Sequence, residues 1–257
     1  MAKIISVANQ KGGVGKTTTT INLSASLAHY GMKTLVVDID PQSNSSSGLN
    51  HRNKDFSIYD VLIGTIPPNA GLINDILPNL SLIPANINLV GAEIEILDMP
   101  NREYVMTERL KQISDQFDFI LIDCPPSLGI LTLNALTASD SVVIPVQCEY
   151  FALEGLGQLL NTINIVKQRF NKKLSIEGVL LTMYDSRLKL SELVAAEVNR
   201  YFEEKVYNTR IHRNVRISEA PSYGKPVMYY DSYASGAQNY LDLAKEFLER
   251  NNVAVSA

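Results

Sequence analysis

The sequence predicts an α/β fold: one doubly wound, mostly parallel sheet with helices on both faces. Three observations predict it. Short apolar runs alternate along the chain with longer stretches of helical periodicity, the signature of repeated strand–helix–strand units. The runs suit buried parallel strands, which are covered on both faces. The first run leads straight into a glycine-rich loop and then a helix, an order that aims backbone N–H groups and a helix N-terminus at an anion. A chain of 257 residues, 46% hydrophobic and 19% charged, has ample apolar surface for one core, and residues 1–257 are expected to form one domain.

Taken in order, Lys3 to Ala8 reads as the first strand and Thr17 to Tyr30 as the first helix, with Leu23, Leu27 and Tyr30 on one face and Gly31 as its stop. Thr34 to Ile39 is the second strand, running into Asp38-Ile39-Asp40-Pro41-Gln42. Alternation sets Asp38 and Asp40 on one side, at the strand end where doubly wound sheets bind ligands. The polar segment Ser43 to Ser57 reads either as a solvated loop or as a switch that orders around a terminal phosphate. Ser57 to Ile63 is a short helix, Pro67 and Pro68 break the chain, and Leu80 to Pro84 is a brief strand. Helices follow at Asn88 to Leu97 and Glu103 to Ile113, then a strand at Phe119 to Ile122 closed by Asp123. Cys124-Pro125-Pro126-Ser127-Leu128-Gly129 is a rigid turn suited to a second switch, or an ordinary strand-to-helix connection. The remaining elements are strands at Ser141 to Val146 and Ile176 to Met183, and helices at Ala152 to Phe170, Leu188 to Phe202 and Gly236 to Arg250. The last of these carries Tyr240, Leu243, Phe247 and Leu248 on one face.

The chemistry concentrates in Lys11-Gly12-Gly13-Val14-Gly15-Lys16-Thr17-Thr18. The run fits G-x-x-x-x-G-K-[ST] without its leading glycine and with an added lysine in front. Glycines let amides turn onto phosphate oxygens with no Cβ in the way. Lys16 then holds the outer phosphates and the Thr17 hydroxyl ligates magnesium. Four apolar residues ending in Asp123 have the form in which the acid holds magnesium, a weak signal alone and a strong one beside the loop.

Charge is unevenly spread. The chain carries −4, but Arg187 to Lys225 holds eight bases against five acids, +3, leaving −7 for the remainder. A wholly basic nucleic-acid binder is excluded, and any DNA contact must come from a patch; on charge alone this segment is a candidate phosphate surface or a solvated helix face. Cys124 and Cys148 lack the spacing of a disulfide framework or zinc site. No secretory leader and no apolar run of membrane-spanning length is read, so a cytoplasmic protein is expected.

The glycine loop resembles the deviant Walker A motif of the ParA/MinD class of P-loop ATPases. Nearly the whole chain is similar to the ParA/Soj family of partition ATPases, through Lys11 to Thr18, Asp38 to Gln42, Asp118 to Ser127, Thr182 to Arg187 and Asn214 to Pro221. The resemblance implies ATP and Mg2+ as cofactors and an ATP-bound homodimer in which Lys11 reaches the partner's phosphates. It implies that Asp40 orients the attacking water, with Asp38 its magnesium-side neighbour, and that Arg187 and Arg216 bind double-stranded DNA non-specifically, with Arg213 and Lys225 added from the same segment. Met183 and Asn214 are implied base contacts; His212 stands where the family commonly has proline and is given no chemistry. A ParB/Spo0J-like partner that stimulates slow hydrolysis, a nucleoid-associated location and no membrane partner are the remaining expectations.

Two competitors belong to the same class. A MinD-like membrane ATPase ends in a basic amphipathic helix, whereas residues 251–257 carry no cation. An iron–sulfur electron-transfer ATPase needs cluster cysteines that Cys124 and Cys148 do not supply. A GTPase is disfavoured because Asn53-Lys54-Asp55 lacks the spacing of the guanine-reading pattern.

Overall fold

The first predicted strand runs Lys3–Val7 (β1) and feeds the helix Lys16–His29 (α1), then the strand Thr34–Asp38 (β2). This is a computed structural model that describes residues 1–51, 55–149 and 154–254. Asn53-Lys54, the first two residues of the helix expected from Ala152, and the last three residues lie outside these.

The chain continues through Asn44–Gly48 (α2), Ile58–Ile63 (α3), Ile73–Leu77 (β3), Leu80–Ile83 (β4), Leu89–Glu95 (α4) and Val105–Lys111 (α5). Then come Phe119–Asp123 (β5), Ile130–Ala138 (α6), Ser141–Gln147 (β6), Glu154–Arg169 (α7), Ser175–Thr182 (β7) and Lys189–Phe202 (α8). Val215–Glu219 (α9), Val227–Tyr230 (α10) and Ser235–Arg250 (α11) complete it.

Seven strands form one sheet in the order β3-β4-β2-β5-β1-β6-β7, parallel except where β3 meets β4. Chain direction across the sheet reverses around β1, which lies between β5 and β6, so the loop after β1 opens at the switch point where such sheets bind ligands. Register makes that edge level: Val7 pairs with Asp123, and Asp123 with Asp38. Three strand ends thereby deliver the glycine loop and two carboxylates to one place.

Alternation divides each central strand between two apolar layers. Ile120 and Ile122 pack into the cluster that includes Leu110, Leu131 and Leu136, while Phe119 and Leu121 pack into the one built on α1 and α11. There Phe119 meets Phe247 edge-on, with ring centroids 5.3 Å apart. Leu243, Phe247 and Leu248 are fully buried and Tyr240 nearly so, each contributing roughly 1.5–3 kcal/mol. That burial fixes α11 beside α1, and hence the helix whose N-terminus forms the site.

Local signals account for the helix ends. Gly31 takes φ +83° and donates to Ala28 O, stopping α1 as read. Ser57 and Asp60 form a reciprocal capping box on α3, and Gly64 closes it at φ +87°. Besides the short helices α9 and α10, three features depart from the sequence reading. β3 is an antiparallel edge strand that was not anticipated, and α6 follows the Cys124–Gly129 turn. The third is Ser43–Ser57, whose solvated-loop reading fails in its first part: Ser45 and Ser46 sit in a short helix and are fully buried. The reason is that their hydroxyls are absorbed by carboxylates.

Candidate functional site

The glycine loop is held by three strands. Asn9 Nδ2 donates to Pro145 O at 2.7 Å, and Asn9 Oδ1 accepts from Lys11 N at 3.0 Å. From β7, Thr182 Oγ1 donates to Val14 O at 2.8 Å. Gly13 and Gly15 take φ +74° and +92°, a region that L side chains avoid, and a Cβ on Gly12 or Gly13 would meet nothing within 4 Å. The result is an open cradle of main-chain amides. Gly15 precedes α1 with no side-chain cap, leaving the first N–H groups of that helix available to an anion.

Lys16 is buried and donates to Lys11 O at 3.1 Å. Burial holds its ammonium below the usual lysine range, and the charges of Asp123 and Asp40 pull it partly back. A buried cation with so little negative charge in direct contact is poised for an anionic ligand.

Two buried carboxylates face it. Asp123 Oδ2 accepts from Thr17 Oγ1 and from Ser45 Oγ, each at 2.8 Å. Asp38 Oδ2 accepts from Ser46 N at 2.8 Å and Ser46 Oγ at 2.7 Å, while its Oδ1 accepts from Asp40 N at 3.1 Å. Burial raises both acids, Asp38 to about 7, with the nearby charge of Asp123 adding to the effect, and Asp123 to about 6. Asp40 is nearly buried, and its Oδ1 accepts from Gln42 N at 2.9 Å. Asp38 is thus engaged on both oxygens by the protein, which suits it to hold Asp40 and Ser46 in place.

Ser45 and Ser46 stand at the site without having been singled out in the sequence. Ser46 Oγ also accepts from Ala85 N at 2.8 Å, tying α2 to the end of β4. Ser46→Ala is expected to lower stability by about 2–3 kcal/mol, because it strips one donor from Asp38 and leaves a buried N–H without an acceptor. Urea denaturation of the nucleotide-free protein measures this, and an unchanged midpoint would refute the arrangement.

Thr17, Asp123 and Asp40 present hard oxygens beside the loop. Among the described residues no group of three or more His, Cys, Asp or Glu could hold a metal ion. That donor set fits magnesium, which takes one or two carboxylates and completes its shell with water and substrate phosphates.

Beyond the loop lies a cavity of about 220 Å3, lined by Gly15, Thr18, Met183, His212, Asn214 and Pro221 among others. Met183 and Asn214 therefore share a cavity with the glycine loop. Asn214 is already committed: its Oδ1 caps α9 at Arg216 N and Ile217 N, and its Nδ2 donates to Ser235 Oγ. His212 lines the same cavity, its ring edge-on to Tyr184 at 5.5 Å.

The basic residues are exposed, and the three arginines are paired. Arg187 grips Asp185 through two nitrogens and, with Arg213, holds that carboxyl down at about 2. Arg216 contacts Glu219 at 2.8 Å and Asp231 at 3.2 Å. Lys225 is exposed. Arg213 Nη2 lies 3.7 Å from Glu149, and Lys11 Nζ lies 3.9 Å from the same carboxylate. No sequence signal singled out Glu149, since one acid just past a strand end has no distinguishing pattern.

Comparison with known proteins places the chain in a family. A family model described as an AAA domain matches residues 2–176. The sporulation initiation inhibitor protein Soj of Bacillus subtilis is 56% identical over 252 residues, 96% of this chain and 98% of that protein. The chromosome partitioning protein ParA of Myxococcus xanthus is 49% identical over 98% of this chain and 89% of its own. Among solved structures, cobyrinic acid a,c-diamide synthase from Mycobacterium smegmatis, with bound ATP analogue and magnesium, superposes at a TM-score of 0.86 with 38% identity. That match covers 98% of this chain and 96% of the other. Its name denotes a different activity, so the shared fold alone does not define the work done. Among the described residues no helix is long and apolar enough to cross a membrane.

Proposed function

Because the chain belongs to the Soj/ParA family of chromosome-partitioning ATPases, we propose that it is an ATP-driven dimerisation switch that binds DNA non-specifically as the ATP dimer and lets go on hydrolysis. The amides of Gly12 to Thr18 and the ammonium of Lys16 receive the phosphates, and the base enters the cavity beside Met183 and Asn214. Thr17 and Asp123, with Asp38 and Asp40 beside them, would hold a magnesium ion brought with the nucleotide, which would offset phosphate charge. Asp40 orients the attacking water. Lys11 completes the partner's site, and each subunit brings Arg187, Arg213, Arg216 and Lys225 to DNA.

The observation that carries this reading is the position of Glu149. One carboxylate faces both the extra lysine of the nucleotide loop and an arginine of the basic segment. Drawing Lys11 across to another subunit's phosphates would therefore alter the charge around Arg213, linking nucleotide state to the DNA surface. The carboxylates beside Arg187 and Arg216 also mute the surface of a single subunit, so useful affinity requires two patches. A ParB/Spo0J-like partner would hasten hydrolysis, and the ATP dimer would reside on the nucleoid.

The test uses Asp40→Ala, expected to bind ATP without turning it over. Its DNA affinity, measured across a salt series, is expected to fall about twice as steeply with salt in ATP as in ADP, because doubling the patch doubles the phosphates contacted. Adding Arg216→Glu should leave the ATP dimer intact and weaken DNA binding at every salt concentration. Equal slopes in ATP and ADP would sink the switch.

A further inference from the structure

Four large apolar side chains stand together on the surface: Ile87 is 65% exposed, Val90 52%, Ile94 68% and Leu97 47%. Their spacing of three, four and three puts them on one side of α4 and the turns that flank it. On the other side Leu89, Ala92 and Ile96 are fully buried. The core explains one face of this helix and leaves the second without an occupant. Single exposed apolar residues are ordinary, but a contiguous ridge is not.

The charge on the ridge's own segment has one sign. Residues 87–101 contain Glu93, Glu95 and Asp98 and no base. At 100° per residue Glu95 and Asp98 border one side of the ridge and Glu93 the other. Tyr59 Oη donates to Glu95 Oε1 at 2.8 Å, holding that acid at the rim. Arg102, the next base along the chain, is turned to Leu97 O at 3.1 Å and Glu103 at 3.2 Å. Ridge-on-ridge pairing of two copies would set these acids against each other. An anionic membrane is repelled in the same way.

We propose that this ridge docks a basic amphipathic helix of a partner protein, whose apolar face covers Ile87, Val90, Ile94 and Leu97 while its flanking Lys and Arg meet Glu93, Glu95 and Asp98. Glu93 Oε1 lies 3.1 Å from where a Cβ of Gly129 would stand. Glu93, one of the acids that would meet the bound helix, thus lies against the turn that follows Asp123. Docking itself needs neither nucleotide nor DNA, so it stands or falls apart from the proposed switch. A second exposed apolar set on α8, including Leu190 and Leu193, is interleaved with Lys189, Glu192, Glu197 and Arg200. Its mixed charge selects no partner, which makes it the control.

The experiment is fluorescence anisotropy of a labelled helical peptide of Leu and Lys in amphipathic order, titrated with the full chain without nucleotide. Binding is expected to weaken with salt, to fall at least about tenfold in Ile94→Ser, and to be unchanged in Leu193→Ser. Ile94 is exposed, so its loss leaves the core untouched. Glu93→Gln with Glu95→Gln should weaken binding and flatten its salt dependence, and a Leu/Glu peptide should not bind. Equal losses in Ile94→Ser and Leu193→Ser, or binding of the Leu/Glu peptide, would overturn the proposal. So would nucleotide-free self-association, seen by sedimentation, that Ile94→Ser abolishes, since the occupant would then be a second copy.

Discussion

Lys16→Ala is expected to abolish ATP binding while leaving the folded protein intact or slightly more stable. Both halves follow from one placement. In the nucleotide-free chain the Lys16 ammonium is buried and donates to the Lys11 carbonyl. Burial depresses its pKa, so the folded state disfavours the charged form at neutral pH, and that penalty fades only as pH rises through the lowered value. Alanine removes the penalty. Bound phosphates reverse the balance: charge-assisted contacts to two phosphate groups contribute roughly 3–6 kcal/mol in total, a loss of about two to four orders of magnitude in affinity. Calorimetric titration should therefore show no ATP binding, and thermal melts should lose their ATP-induced shift with no fall in the nucleotide-free midpoint. Intact ATP affinity would remove the glycine loop from the site.

How much of this could be read from the chain depended on whether burial left a pattern. The six parallel strands were legible because strands covered on both sides become unbroken apolar runs, as in Phe119 to Asp123. β3 was not, since Ile73-Asn74-Asp75-Ile76-Leu77 sits half-exposed at the sheet edge with Asp75 at φ +50°, and neither run nor alternation survives there. α6 was hidden for the opposite reason. Ile130 to Ala138 is apolar on nearly every side, so it has no helical stripe to detect.

The site divides in the same way. The glycine loop and Asp123 are local in sequence and announce themselves. Ser45 and Ser46 look like loop serines, and only the fold sets their hydroxyls against carboxylates 78 and 8 residues distant in sequence. Glu149 is invisible for the same reason, because its meaning lies in Lys11 and Arg213 arriving beside it from opposite ends of the chain. Long-range polar pairs carry no periodicity, and periodicity is what sequence reading detects.

Lys11→Ala is expected to separate two properties that Lys16→Ala destroys together: ATP affinity stays within a few-fold of the unaltered protein, while ATP-dependent dimerisation and phosphate release are lost. The two lysines lie in one loop but differ in address. Lys16 reaches into its own cradle; the Lys11 side chain is 30% exposed and its ammonium sits 3.9 Å from Glu149, a weak surface pairing that a stronger anion displaces at little cost. In a face-to-face dimer two triphosphates approach each other, and like charges in a closed site repel strongly. Two symmetric lysines relieve that repulsion. Removing both takes roughly 3–6 kcal/mol from the dimer, about two to four orders of magnitude in its dissociation constant. Sedimentation with ATP should show monomer, and ATP titration should show near-normal binding to it. If Lys11→Ala instead loses ATP affinity as Lys16→Ala does, the lysine serves its own phosphates. The chain would then be a nucleotide-binding monomer, with nothing in its loop to require a second copy.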